Sequence, residues 1–122
     1  MHELSLADSI VNTALDVASE HKATSIKRVT VEIGSFALVI KEQLRFCIEI
    51  LAENTIAAKA EFELLTIPGV LHCAECNFEG PVKDVEDSTF GQALFLCPNC
   101  ESLGTRILSG RDVVVRSVDL SI

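Results

Sequence analysis

The sequence predicts an α+β fold in which two helices pack on a small sheet of about three strands, with a rubredoxin-like zinc ribbon inserted before the last strand. Three observations predict it: apolar residues at helical spacing in two stretches, alternating apolar and polar residues in three others, and two Cys-x-x-Cys pairs lying between the last two of those.

Ser5 with Asp8 three residues later resembles a capping box, and Leu4, Ala7, Val11, Ala14 and Ala18 recur on one side, so a helix is expected from about 5 to 21. Val29, Val31 and Ile33 alternate with Arg28, Thr30 and Glu32 before Gly34, the period-2 pattern of a half-buried strand. Leu44, Cys47, Ile48 and Leu51 fall at i, i+3, i+4 and i+7, which predicts a second helix over about 41–53 with Cys47 on its buried face. From Lys59 to Ile67 the β-branched and aromatic content rises, with Phe62 and Leu64 on one side and Glu61 and Glu63 on the other, and Pro68-Gly69 ends that strand. Between about 70 and 110 periodicity fades, and cysteines, glycines and prolines set the rhythm of a loop-rich metal module. Strand character resumes from Val113 to Ile122, with Val114, Val118, Leu120 and Ile122 in one phase that Arg116 interrupts. The module is therefore inserted, not appended. The expected division is residues 1–68 plus 111–122 as an α/β domain and 69–110 as a zinc-ribbon domain.

At 122 residues, 48% hydrophobic and 23% charged, the chain has the composition of one ordinary globular domain. A formal net charge of −8 opposes attraction to nucleic-acid phosphates and anionic lipid, so neither nucleic acid nor membrane is an expected partner. No apolar run approaches the ~18 residues of a membrane span, and the opening Met-His-Glu-Leu-Ser lacks a basic region followed by an apolar stretch. A cytoplasmic protein is expected. In a reducing cytosol, four of five cysteines in two Cys-x-x-Cys pairs read as metal-binding thiolates and not as disulfides.

Cys73, Cys76, Cys97 and Cys100 can turn four thiolates toward one point. A closed S4 shell suits Zn2+, whose filled d shell imposes no competing geometry, and leaves no position open for water or substrate, so the zinc is read as structural. Such a cage also accommodates iron. A module of about 40 residues buries too little apolar surface to hold itself, which couples its fold to the metal.

At the other end of the sequence, His2 follows the initiator methionine, and a bulky second residue prevents removal of that methionine. The amine of Met1, the backbone nitrogen of His2 and its ring can close adjacent chelate rings on one ion, with the backbone nitrogen of Glu3 as a fourth donor. Planar nitrogen-rich sets select Ni(II) or Cu(II). A helix starting at Ser5 would leave residues 1–4 free to wrap that ion, with Glu3 and Asp8 offsetting the positive end of the helix dipole.

The opening Met-His-Glu-Leu-Ser-Leu-Ala-Asp-Ser-Ile-Val, the strand Val-Thr-Val-Glu-Ile-Gly ending at Gly34, the helix around Leu44-Arg-Phe-Cys-Ile-Glu and the inserted ribbon together resemble the HypA/HybF hydrogenase maturation proteins, over essentially the whole length. The resemblance implies a nickel metallochaperone in which His2, with main-chain donors of Met1 and Glu3, binds Ni2+ as transported cargo, while the four cysteines bind Zn2+. It implies delivery to the large subunit of [NiFe]-hydrogenase together with a HypB-type GTPase, and in some organisms toward urease through a urease accessory protein. Two features depart from the family pattern. Some relatives carry a carboxylate in the loop after the first strand, where residues 35–40 here are Ser-Phe-Ala-Leu-Val-Ile; and Glu101 occupies a position that is often glycine.

Cys47 is expected as a buried core thiol, His72 as an exposed neighbour of the cysteine site, and His21 as a cation at the end of the first helix. No paired-carboxylate site, phosphate loop or Ser/His/Asp arrangement has convincing spacing, which makes a non-enzyme the expected class. The rival functions are a zinc-ribbon protein-interaction adaptor without nickel transfer and a redox dithiol protein. Both a monomer and a homodimer are compatible with the sequence.

Overall fold

The computed structural model describes residues 3–81 and 96–122. In chain order the elements are α1 (Glu3–Glu20), β1 (Ser25–Gly34), a 3-10 turn (Ser35–Ala37), α2 (Lys41–Ala52), β2 (Glu61–Ile67), β3 (Val70–Cys73), β4 (Glu79–Pro81), β5 (Thr105–Ser109) and β6 (Val113–Ser121). They fall into two compact units: Met1–Glu32 with Val39–Leu65 and Val114–Ile122, and Ile33–Leu38 with Thr66–Val113.

In the first unit, α1 and α2 pack on each other, and the sheet has the order β2-β1-β6. α1 begins two residues earlier than expected. Ser5 and Asp8 are exposed residues within the helix and not its cap. The burial stripe explains this: Leu6, Ala7, Ile10, Val11, Ala14 and Ala18 are buried in two adjacent rows, while Leu4 is 57% exposed. A helix starting at Ser5 would leave the first buried pair in its least-ordered turn. Starting at Glu3 places an acid at the positive end of the dipole as well. At the other end, Lys22 adopts φ 55° and the Ala23 amide bonds the Ala18 carbonyl at 2.9 Å, closing the helix. The His21 ring Nδ1 stands 2.9 Å from the Val17 carbonyl oxygen, at the last turn of α1.

β1 is central in its sheet, and its burial is deeper than simple alternation allows. Val29 and Val31 have no exposure, Ile33 has 3%, and Thr30 on the opposite face is also buried at 8%. The Thr24 amide bonds the Ser121 carbonyl at 2.8 Å and the Gly34 amide bonds that of Asp112 at 2.9 Å, so β1 and β6 run antiparallel. Arg116, which interrupts the apolar phase of β6, reaches Glu32 across this pair at 3.5 Å, and Arg28 reaches Glu61 of β2 at 3.1 Å. These exposed pairs fix register more than they stabilise. The single phase expected in β6 is corrected: Val113 and Val115, then Val118 and Leu120, are half-buried, while Val114 and Ile122 are 51% and 84% exposed.

α2 covers the core with Leu44, Ile48 and Ala52, whereas Cys47 is only half-buried, at the margin of that face. The Arg45 guanidinium ties α2 to β2 by donating to the Phe62 carbonyl at 2.8 Å. Ile40, the residue before α2, offers no side-chain cap of its own; its amide donates to Glu3 Oε2 at 3.3 Å. Among the described residues no helix is long and apolar enough to cross a membrane.

The second unit holds a three-stranded antiparallel sheet of order β4-β3-β5. These short strands lie in the stretch where sequence periodicity fades. They bring both cysteine pairs to one end of β3 and β5.

Candidate metal centre

Each Cys-x-x-Cys pair sits in a turn, and the two turns repeat one hydrogen-bond pattern. The Cys73 amide donates to the Phe78 carbonyl at 2.8 Å, and the Cys97 amide donates to the Ser102 carbonyl at 3.0 Å. The Cys73 carbonyl accepts from the Asn77 amide, as the Cys97 carbonyl does from Glu101, both at 2.9 Å. Asn77 and Glu101 have φ of 60° and 62°, so each turn closes through a left-handed residue one position after its second cysteine. The Ala74 amide, bonded to the Gly104 carbonyl at 3.0 Å, joins the two turns.

This arrangement brings the four Sγ atoms within 4.8 Å of one another. Two of the separations, Cys73–Cys100 and Cys76–Cys97, are 3.6 Å and run between the turns. A tetrahedron with Zn–S bonds of about 2.3 Å has S···S edges near ~3.8 Å, so the cluster fits a zinc ion. A dithiol built for exchange would bring together the two cysteines of one pair, and a disulfide needs sulfurs at about 2 Å. Cys73 and Cys97 are buried, Cys76 half-buried and Cys100 exposed, so the cage has a closed inner side and an outer side near solvent.

Donors surround the sulfurs. The Asn99 and Cys100 amides lie 3.4 and 3.5 Å from Cys97 Sγ, and Asn99 Nδ2 lies 3.4 Å from Cys76 Sγ. The Asn99 hydrogen bond is the main reason the Cys76 thiol is held down to about 6, with the Phe78 amide acting in the same sense. Cys100 accepts the Ser102 amide, which pulls it down, but burial and the crowding of the other three thiols prevail and push it up to about 12. Four thiols this close do not ionise together unaided. A divalent cation removes the conflict by neutralising the thiolates, and the amide hydrogen bonds spread what charge remains.

The sequence did not single out Asn99, inside the second Cys-x-x-Cys pair, or Ser102, two residues past it, because neither position carries a composition signal. His72 corrects an expectation: it is half-buried, in register with Glu79 of β4 and Arg106 of β5. Its Nδ1 is buried 3.5 Å from Glu79 Oε1 and makes no hydrogen bond.

Glu101 is the strained member of the second turn. A left-handed conformation costs an L-residue roughly 1–2 kcal/mol, and asparagine pays less because its side chain bonds locally. Glu101→Gly should stabilise the zinc-loaded chain by roughly 0.5–1 kcal/mol, the relief being partly offset by the greater freedom of glycine when unfolded. Thermal unfolding of Glu101→Gly beside Glu101→Ala checks it; equal midpoints for the two would remove the argument.

Of the amino-terminal residues singled out in the sequence, Met1 and His2 lie outside the described residues. Glu3 opens α1, and its carboxylate meets the amide of Ile40, in the loop that lacks an acid of its own.

The sequence profile described as hydrogenase/urease nickel incorporation, metallochaperone HypA, matches residues 1–120. The chain is 35% identical over 122 residues to a hydrogenase maturation factor HypA from Methanocella arvoryzae, with 100% of both chains covered. It is 38% identical over 120 residues to the protein of that name from Methanothermobacter thermautotrophicus, covering 98% of this chain and 97% of the other. In fold it resembles the solution structure of the Ni metallochaperone HypA from Helicobacter pylori, with a TM-score of 0.65 at 21% identity over 99% of this chain and 98% of that one. A match from residue 1 to residue 120, together with relatives covered over nearly their full length, leaves one conclusion: this chain belongs to the HypA family.

Proposed function

We propose that the chain is a cytoplasmic nickel metallochaperone and not an enzyme, accepting Ni(II) at its amino terminus and releasing it during maturation of [NiFe]-hydrogenase, with urease as a second destination in some organisms. The observation that carries this reading is the family match, which begins at residue 1 and so includes the three residues of the nickel site. Ni(II) is held by the ring of His2 with main-chain donors of Met1 and Glu3. Zn2+ is held by Cys73, Cys76, Cys97 and Cys100 and keeps the ribbon folded. The partners are a HypB-type GTPase and the hydrogenase large subunit.

Two features of the structure support the nickel site. The first amides of a helix have no intrahelical acceptor, so the Glu3 nitrogen at the start of α1 is not committed to the helix. The Glu3 carboxylate is also engaged, by the Ile40 amide, which holds residue 3 in place while its main chain serves the metal. Nitrogen ligation at a chain end gives the moderate, labile binding that transfer needs. A closed S4 cage cannot give it.

Calorimetric titration of the untagged chain with Ni(II) tests the reading. Wild type should bind one ion, and both His2→Ala and a form extended before Met1 should lose binding while keeping one zinc per chain. Undiminished affinity in the extended form would exclude the Met1 amine as a donor. A native, zinc-loaded chain that ignores Ni(II) would end the metallochaperone reading.

A further inference from the structure

Asn99 belongs to the second Cys-x-x-Cys turn, yet it serves both turns. Its backbone amide lies 3.4 Å from Cys97 Sγ, and its side-chain Nδ2 lies 3.4 Å from Cys76 Sγ in the first turn. Those two sulfurs stand 3.6 Å apart, so one residue places a donor on each member of a cross-turn pair. The backbone donor belongs to the turn and survives substitution. The side-chain donor depends on the residue being asparagine. The corresponding position of the first turn, third in its Cys-x-x-Cys, is Glu75. An ionised carboxylate has no hydrogen to offer a sulfur, and the Glu75 side chain lies beside Gly104. The other cross-turn pair, Cys73 and Cys100, therefore has no counterpart of Asn99, and among the described residues no other side-chain nitrogen reaches a sulfur of the cluster. The near-repeat of the two turns is broken at one residue, in favour of Cys76.

We propose that Asn99 is a positioning residue for the zinc: its side-chain amide braces Cys76 across the cage and sets how slowly the metal is given up. The proposal rests on the reading that the four cysteines hold Zn2+, and it adds which residue outside the ligand set governs retention. Two effects act together. The N–H···S bond disperses the excess negative charge of four thiolates around one divalent ion. It also fixes the direction of the Cys76 side chain, which is only half-buried and so is less confined by packing than Cys73 or Cys97. Hydrogen bonds from outside the ligand set are worth roughly 10–100-fold in metal affinity. Asn99 is itself exposed, and water competes for the sulfur when the amide is removed, which puts the expected effect near the lower end, roughly 10-fold.

The test uses the full zinc-loaded chain, with zinc release to an excess of a chromophoric chelator followed in time, and the same chain loaded with Co(II) as a spectroscopic stand-in. Asn99→Leu keeps the bulk that shields Cys76 and removes the donor, while Asn99→Asp keeps the shape and turns a carboxylate oxygen toward the sulfur. Both should bind one metal ion per chain at the outset and release zinc roughly 10-fold faster than wild type, Asn99→Asp at least as fast as Asn99→Leu. Asn99→Gln, which retains the amide on a longer arm, should recover part of the loss. In the Co(II) form of Asn99→Leu the sulfur-to-metal charge-transfer band should move to longer wavelength, since a thiolate relieved of a hydrogen bond is the stronger electron donor. Limited alkylation of the zinc form should rise at Cys76 and not at Cys73. A merely structural role for Asn99 would loosen all four sulfurs without singling out Cys76. Release as slow as wild type in both variants, with an unshifted band, overturns the proposal and leaves the zinc reading in place. Faster release with alkylation rising equally at all four cysteines overturns it too, because Asn99 would then hold the turn and not the sulfur. A wild-type chain that takes up neither Zn2+ nor Co(II) overturns both.

Discussion

Removal of zinc should release one ion per chain and unfold the β4-β3-β5 sheet while α1, α2 and the β2-β1-β6 sheet remain folded. The reason lies in what the ribbon buries. Of the described residues from Val70 to Ser109, the buried hydrophobic ones are Leu71, Cys73 and Cys97, and two of these three belong to the four-cysteine cluster. Nothing of comparable size takes their place when the metal leaves. Structural zinc contributes roughly 10–16 kcal/mol of apparent binding energy in small modules, far more than burial of one leucine at about 2 kcal/mol. The first unit has its own core, with Leu44, Ile48, Val29 and Val31 fully buried beside the stripe of α1. Hydrogen exchange read by mass spectrometry should therefore show peptides from 70–81 and 96–109 losing protection after treatment with a thiol-reactive mercurial and a chelator, and peptides from α1 and β1 keeping theirs. A purified chain without zinc, or a ribbon still protected after the metal is gone, would contradict this account.

What could be read in advance follows from which interactions leave a mark on nearby residues. The helices and the strands of the first sheet bury one face each, and burial of one face writes a period of 3.6 or 2 into the sequence; Leu44 and Ile48, and Val29, Val31 and Ile33, show it plainly. The cysteine pairs were legible because a tetrahedral cage dictates residue type and spacing at once. β3, β4 and β5 were not, since strands of 4, 3 and 5 residues are too short to display a period. The start of α1 was misjudged at Ser5 because local capping chemistry competes there with tertiary burial of Leu6 and Ala7, and burial prevails. The bond from Ile40 to Glu3 spans 37 positions, and no local pattern encodes such a contact. The left-handed turn at Glu101 was hidden for a different reason: the residue present is not the one that conformation favours.

Gly34→Ala should destabilise the chain by about 3 kcal/mol or more, a shift of roughly 10 °C in the thermal midpoint for a domain of this size. Three glycines meet around the end of β1. A Cβ added to Gly34 would overlap the carbonyl of Gly110, one added to Gly110 would overlap the Cα of Gly69, and one added to Gly69 would overlap the ring of Phe36. The close approach is held by hydrogen bonds from the Gly34 amide to the Asp112 carbonyl at 2.9 Å, from Phe36 to Gly110 at 2.8 Å, and from Gly69 to the Ser35 hydroxyl at 2.9 Å. Each obstacle to Gly34 is backbone, which cannot swing aside as a flexible side chain would. Relief requires the segment at Gly110 to move, and with it the bonds from Gly34 and Phe36. Gly110 has the further demand of φ 104°, which an L-residue adopts only under strain. Gly104 supplies the control, because a Cβ there meets its nearest atom, the Ser102 hydroxyl oxygen, at 3.3 Å and otherwise open space or ordinary contact. Gly104→Ala should melt within a few degrees of wild type. If Gly34→Ala does the same, the three backbones do not pack as closely as described, and the point where β1 gives way to the 3-10 turn must be looser than these contacts require.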